Sequence, residues 1–294
     1  MNFLEQLKPE KEFFIGIDSD GCVFDTMEVK HKEFFCPNTV KYFGLFAISK
    51  YVRETWDFVN LYSVTRGINR FPALVRVMDL LAERPEIKEM GFDLPDMEPL
   101  REWTAKETRL GNPVFRDYVT TNPHPALEPV LKWTMAVNED IAKWLRNTPP
   151  FPFARKSIEK LSTLADAIVV SQTPREALIR EWEEHSISRY VRAIAGQEHG
   201  TKAEHITMAA GGKYSDDRML MIGDAPGDYK AALANNALFF PVVPGHENRS
   251  WKLFFEEGLD RFITGTYKGD YQDVLIREFR ESLPEKPSWE KTGI

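Results

Sequence analysis

The chain has little that would hold it together by chemistry other than packing. Its 294 residues include two cysteines, Cys22 and Cys36, too few for a disulfide framework, so the expected setting is a reduced, cytoplasmic one. It contains no run of eighteen or more apolar residues, which excludes a helical membrane span. There is no surplus of positive charge, the formal net charge being -7. That balance argues against nucleic acid as a partner. Internal repeats and low-complexity segments are also absent. The opening residues Met1-Asn2-Phe3-Leu4-Glu5-Gln6 lack a basic segment followed by an apolar one, so no secretory signal is expected there. With 43% hydrophobic residues the chain can nevertheless bury a sizeable core in one or two domains.

The run Phe13-Phe14-Ile15-Gly16-Ile17-Asp18-Ser19-Asp20-Gly21 is the most informative in the chain. A short apolar stretch ending in two aspartates reads as a buried strand of a parallel sheet, with Asp18 and Asp20 emerging at its carboxyl end. Open α/β sheets build their sites there. Residues two apart on an extended chain face the same side, so both carboxylates can address one substrate. Two carboxylates so close need a cation or a shared proton.

From about Glu28 to Pro150 the spacing of large apolar residues is helical or irregular, as in Tyr51–Val59, Ala73–Ala82 and a long helix from Pro125 to about Arg146. Pro149-Pro150-Phe151-Pro152 ends this region. From Phe153 strands and helices alternate: strands at Asp166–Ser171, Val191–Ala195, Arg218–Ile222 and Ala237–Val242, and helices at Arg155–Leu164, Pro174–Glu184, Ala203–Ala210, Asp228–Ala234, Ser250–Glu257 and Asp273–Ser282. Alternation of this kind implies parallel pairing with right-handed crossovers. The expected fold class is therefore α/β: a doubly wound parallel sheet built from residues 1–26 and 151–294, with an all-helical domain, residues 27–150, inserted after the first strand.

Three further strands end in residues suited to chemistry. Ser171-Gln172-Thr173 places a hydroxyl and two backbone N–H groups before a helix, which is a ready phosphate cradle. Gly223-Asp224-Ala225-Pro226-Gly227-Asp228 follows a strand with two carboxylates, hard oxygen ligands suited to Mg²⁺. Lys202 precedes the strand that leads to them, and Lys213 competes with it for the same role.

These four signals, in this order, resemble the motifs of the haloacid dehalogenase superfamily. Asp18-Ser19-Asp20-Gly21-Cys22-Val23-Phe24-Asp25-Thr26 is similar to the first motif of its phosphoglycolate-phosphatase-like members, usually DxDGT(L/V)xD(T/S), with Cys22 at the position of Thr. Ser171 matches the second motif, Lys202 the third and GDxxxD, Asp224 to Asp228, the fourth. The resemblance implies a Mg²⁺-dependent phosphatase acting on a small phosphorylated metabolite. In it Asp18 is the nucleophile, Asp20 the acid and base, and Ser171, Gln172 and Lys202 the phosphate grip. Asp18, Asp20, Asp224 and Asp228 make the metal site. The presence of Asp20 favours ester hydrolysis over dehalogenation, because an alkoxide leaving group needs a proton. A phosphomutase of the β-phosphoglucomutase type would use the same residues, and a non-catalytic interaction module on this core is a further alternative. The helical insertion occupies the place of the superfamily's C1 cap. There Lys30, His31, Arg66 and Arg70 are the cationic candidates, with Thr65–Arg70 the most site-like stretch.

Overall fold

The computed structural model describes residues 2–292. Contacts divide the chain into two units, one of Met1–Met27 with Arg146–Leu283, the other of Glu28–Leu145 with the chain from Pro284 onward.

The first unit is built on five strands, β1 (Phe13–Ile17), β2 (Ala165–Val170), β3 (Ala193–Ala195), β4 (Met219–Gly223) and β5 (Leu238–Pro241). All neighbours pair in parallel, in the order β3-β2-β1-β4-β5. This is a doubly wound sheet whose order reverses between β1 and β4, the place where such sheets open a crevice for ligands. β1 lies at the centre, which explains its unbroken apolar run: both faces are covered.

Alternation along each strand sorts the side chains into two layers. Ile15, Ile17, Ala167, Val169, Leu220 and Ile222 meet the helices Pro152–Leu161 and Arg175–Glu184, with Trp182 and Trp251 packed among them. Phe14, Ile168, Val170, Met219, Met221 and Phe239 meet Lys202–Ala210, Pro226–Ala234 and Asp270–Glu281 on the opposite face. Several element boundaries differ from the sequence expectation. The helix expected to open at Asp228 begins at Pro226, because proline suits a first helical position whose N–H has no partner to lose. The helix expected at Ser250–Glu257 runs from Glu247 to Leu253 and continues as a π-wound turn through Gly258.

The second unit is helical and has its own core, in which Trp56, Phe71, Trp103, Phe115 and Trp133 are buried. His31 lies within it, its Nδ1 accepting from the Trp56 indole at 3.0 Å. Residues 284–290 were expected with the sheet but group with this unit. The Trp289 ring meets Phe58 edge-on and carries the Arg84 guanidinium 4.3 Å from its centre. A buried cation over an indole is a favourable anchor. Among the described residues, no helix is long and apolar enough to cross a membrane.

Candidate active site

β1 delivers Asp18 to the carboxyl edge of the sheet, and the Asp18 N–H extends the ladder by donating to Ile222 O at 2.9 Å. The chain then folds back at once. Ser19 O accepts from the N–H groups of Cys22, Val23 and Phe24, while Gly21 adopts φ +76°, a conformation that side chains other than glycine's resist. This turn leaves Asp18 almost fully buried and separates the Asp18 and Asp20 carboxylates into different surroundings.

At the end of β4, Gly223 permits a second close approach. A Cβ at that position would lie 2.3 Å from Asp228 Cβ, so glycine alone lets Asp228 fold against the strand end. Asp228 Oδ2 accepts from the N–H groups of Asp224 at 3.1 Å and Ala225 at 2.9 Å, which fixes the loop and the start of the following helix.

The third element is the helix Lys202–Ala210. Thr201 caps it: its Oγ1 accepts from Glu204 N, and Glu204 Oε2 accepts from Thr201 N at 2.7 Å. This reciprocal pair sets Lys202 at the first helical position, with its Nζ 2.8 Å from Asp18 Oδ2 and 2.5 Å from Asp228 Oδ1. Lys213 is elsewhere, its ammonium donating to the carbonyls of Leu4, Glu5 and Met208. Geometry thus separates the two lysines that the sequence left in competition.

Asp18, Asp224 and Asp228 present carboxylate oxygens within 4.8 Å of one another, all three buried. At that separation each like-charged pair repels by roughly 3–4 kcal/mol for an effective dielectric of about 20. One Lys202 ammonium offsets only part of three negative charges. The net excess of two, presented by hard oxygen donors, fits a divalent cation such as Mg²⁺. The Asp18 carboxyl is held well above the usual carboxylate range, first by burial and further by the charges of Asp228 and Asp224, with Lys202 opposing. Burial works against the Lys202 charge, yet Asp18 and Asp228 more than offset it and hold its pKa above the ordinary lysine value.

Asp20 is held differently. Its Oδ1 accepts from Thr26 Oγ1 at 2.5 Å and its Oδ2 from Thr173 Oγ1 at 2.6 Å. Neither threonine was assigned a role from the sequence, although both stand inside the motifs that located the site. Ser171, at the end of β2, is buried and its Oγ accepts from Thr173 N at 3.2 Å. Gln172 is exposed, and its Nε2 donates to Gly200 O at 2.9 Å. The first unit therefore brings together Asp18, Lys202, Asp224 and Asp228 directly, with Asp20 and Ser171 joined through Thr173.

Arg66 and Arg70 belong to the helical unit and bond within it. Arg66 is buried, and its Nη1 donates to Leu61 O at 2.8 Å. Arg70 donates to Asn138 Oδ1 at 2.6 Å and Thr134 Oγ1 at 3.2 Å, and its guanidinium lies 4.9 Å from the centre of the Phe35 ring.

No family model matches the chain, and neither does any curated protein. Solved structures do. A protein from Lactobacillus delbrueckii subsp. bulgaricus, provisionally described as a phosphoglycolate phosphatase, is similar with a TM-score of 0.50 and 18% identity, over 86% of this chain and 98% of that one. A haloacid dehalogenase-like family hydrolase from Xanthomonas campestris aligns at 0.47 and 8% identity, over 88% and 96% of the two chains. A protein from Bacteroides vulgatus, provisionally described as a β-phosphoglucomutase, aligns at 0.45 and 14%, over 91% and 95%. The fold of this chain is shared with that of the Lactobacillus delbrueckii subsp. bulgaricus protein.

Proposed function

We propose that the chain is a metal-dependent phosphatase that hydrolyses a small phosphomonoester through an aspartyl-phosphate on Asp18. The observation that carries this reading is the unequal treatment of two carboxylates two residues apart. Asp18 is buried against Lys202 and the other acids, whereas Asp20 is clamped separately by two hydroxyls. That difference supports a nucleophilic role for Asp18 beside a cation site and a proton-carrying role for Asp20.

In this reading an Asp18 oxygen attacks phosphorus as the ester P–O bond breaks, and Asp20 gives its proton to the leaving oxygen. Asp20, now ionised, takes a proton from water. The hydroxide so formed attacks phosphorus, breaks the bond to Asp18 and releases inorganic phosphate. Lys202 and the Ser171 hydroxyl offset charge on the phosphoryl oxygens, where positioning supplies most of the catalysis. Asp18, Asp224, Asp228 and the Asp20 carbonyl would hold Mg²⁺, which supplies further neutralisation of phosphoryl charge when bound. Arg66 and Arg70 of the helical unit, each using Nη1 in the bonds to Leu61, Thr134 and Asn138, stay in this reading as the candidates for the substrate beyond its phosphate.

A phosphate-release screen over small phosphorylated metabolites, run with Mg²⁺ and product analysis, tests the reading. Release of inorganic phosphate from at least one ester is expected. Transfer of the phosphoryl group to another sugar hydroxyl, without phosphate release, would replace the phosphatase by a phosphomutase. Absence of both turnover and Mg²⁺ binding would contradict either.

A further inference from the structure

We propose that Thr173 is a positioning residue for the acid and base Asp20, setting the angle at which its carboxyl meets the leaving oxygen. The inference rests on the phosphatase reading and adds a residue to it.

A carboxylate joined to the backbone by two torsions can rotate, and a proton donor is effective only when aimed at its acceptor. In this structure each Asp20 oxygen is taken by a different hydroxyl, Oδ1 by Thr26 and Oδ2 by Thr173. Two donors on separate oxygens fix the plane of the carboxyl group, and Thr173 supplies one of them. Thr173 is itself held firmly. Its N–H donates to Ser171 Oγ, and its carbonyl accepts from Gln197 N at 3.1 Å. Gly196 presses against the same segment, so that a Cβ there would lie 2.7 Å from Thr173 O and 2.6 Å from Arg175 N. The hydroxyl that grips Asp20 therefore hangs from a backbone braced on both sides. The same residue that bonds the phosphate-binding Ser171 also aims the acid, so one loop places both groups relative to the phosphoryl centre.

Thr173→Val keeps the shape of the side chain and removes its donor, and Thr173→Ser keeps the donor. Turnover of phenyl phosphate and para-nitrophenyl phosphate separates aiming from folding, because the more basic phenoxide depends more on a delivered proton. With Thr173→Val, kcat/KM on phenyl phosphate, which reports the step that forms the aspartyl-phosphate and expels the leaving group, should fall roughly ten-fold or more, a fraction of what general acid catalysis supplies. On para-nitrophenyl phosphate it should fall much less, with the thermal midpoint near wild type. Thr173→Ser should restore the phenyl phosphate rate. Equal losses on the two esters, no loss, or no rescue by serine would each overturn the role of Thr173 while leaving the phosphatase reading intact. A wild-type protein that cleaves neither ester nor any metabolite in the screen would overturn both.

Discussion

The ammonium of Lys202 lies 2.8 Å from Asp18 Oδ2, and the same nitrogen reaches Asp228 Oδ1. It thus ties the end of β1 to the first turn of the helix after β4, through a helix that begins at Lys202 itself. Removing it leaves three buried carboxylates facing one another. Lys202→Met should therefore destabilise the metal-free protein by about 3–5 kcal/mol, the cost of stranding buried charge. It should also lower kcat/KM by at least about a hundred-fold. Denaturant unfolding in chelator, repeated with Mg²⁺, should show that the cation recovers part of the lost stability. Unchanged unfolding and unchanged turnover would contradict the assignment.

Asp224 and Asp228 should govern the affinity for metal. Asp224→Asn keeps the shape of the side chain and removes one negative charge, and Asp228→Asn does the same while retaining an acceptor for the Asp224 and Ala225 N–H groups. Each should raise the half-saturating Mg²⁺ concentration by roughly ten-fold or more. Calorimetric titration reads this without turnover. Curves that overlay the wild type would remove these residues from the site.

A buried histidine within the helix Lys202–Ala210 should make the protein acid-sensitive. His205 is fully buried, and burial, with the positive charges of His199 and Lys202 adding to it, pushes its pKa down to about 4. The unfolded chain takes up a proton at this residue below about pH 6.5, while the folded chain resists it. The unfolded state therefore binds more protons between those values, so stability falls as pH drops through this window. Thermal midpoints measured from pH 7 to 4 should decline, and His205→Leu should flatten the decline whatever its own baseline. Parallel slopes for the two proteins would refute the assignment.

The sheet was legible because its strands are buried on both faces and so read as short apolar runs, and the acidic residues stand at their carboxyl ends. Lys202 could have been chosen over Lys213 without a structure. Thr201-Lys202-Ala203-Glu204 has the form of a reciprocal helix cap, which marks a helix start at Lys202. Thr173 could not have been assigned, because its proposed role depends on meeting Asp20 from the end of a strand that neighbours β1 in the sheet but lies far along the sequence. The pairing of Arg84 with Trp289 was hidden for the same reason, and with it the membership of the closing residues in the helical unit. Arg66 looked like a loop cation because Thr65, Gly67 and Asn69 surround it; its burial arises from packing that local polarity does not report.

The claim on which the rest depends is that the phosphoryl group passes through Asp18. Asp20→Asn removes the proton acceptor needed to activate water, so the aspartyl-phosphate should accumulate in this variant. Mixing it with para-nitrophenyl phosphate and Mg²⁺, quenching in acid and analysing the peptides by mass spectrometry should show one added phosphoryl group on the peptide carrying Asp18. Asp18→Asn should abolish both that adduct and turnover. A phosphoryl group found on another residue, or normal turnover by Asp18→Asn, would contradict the account.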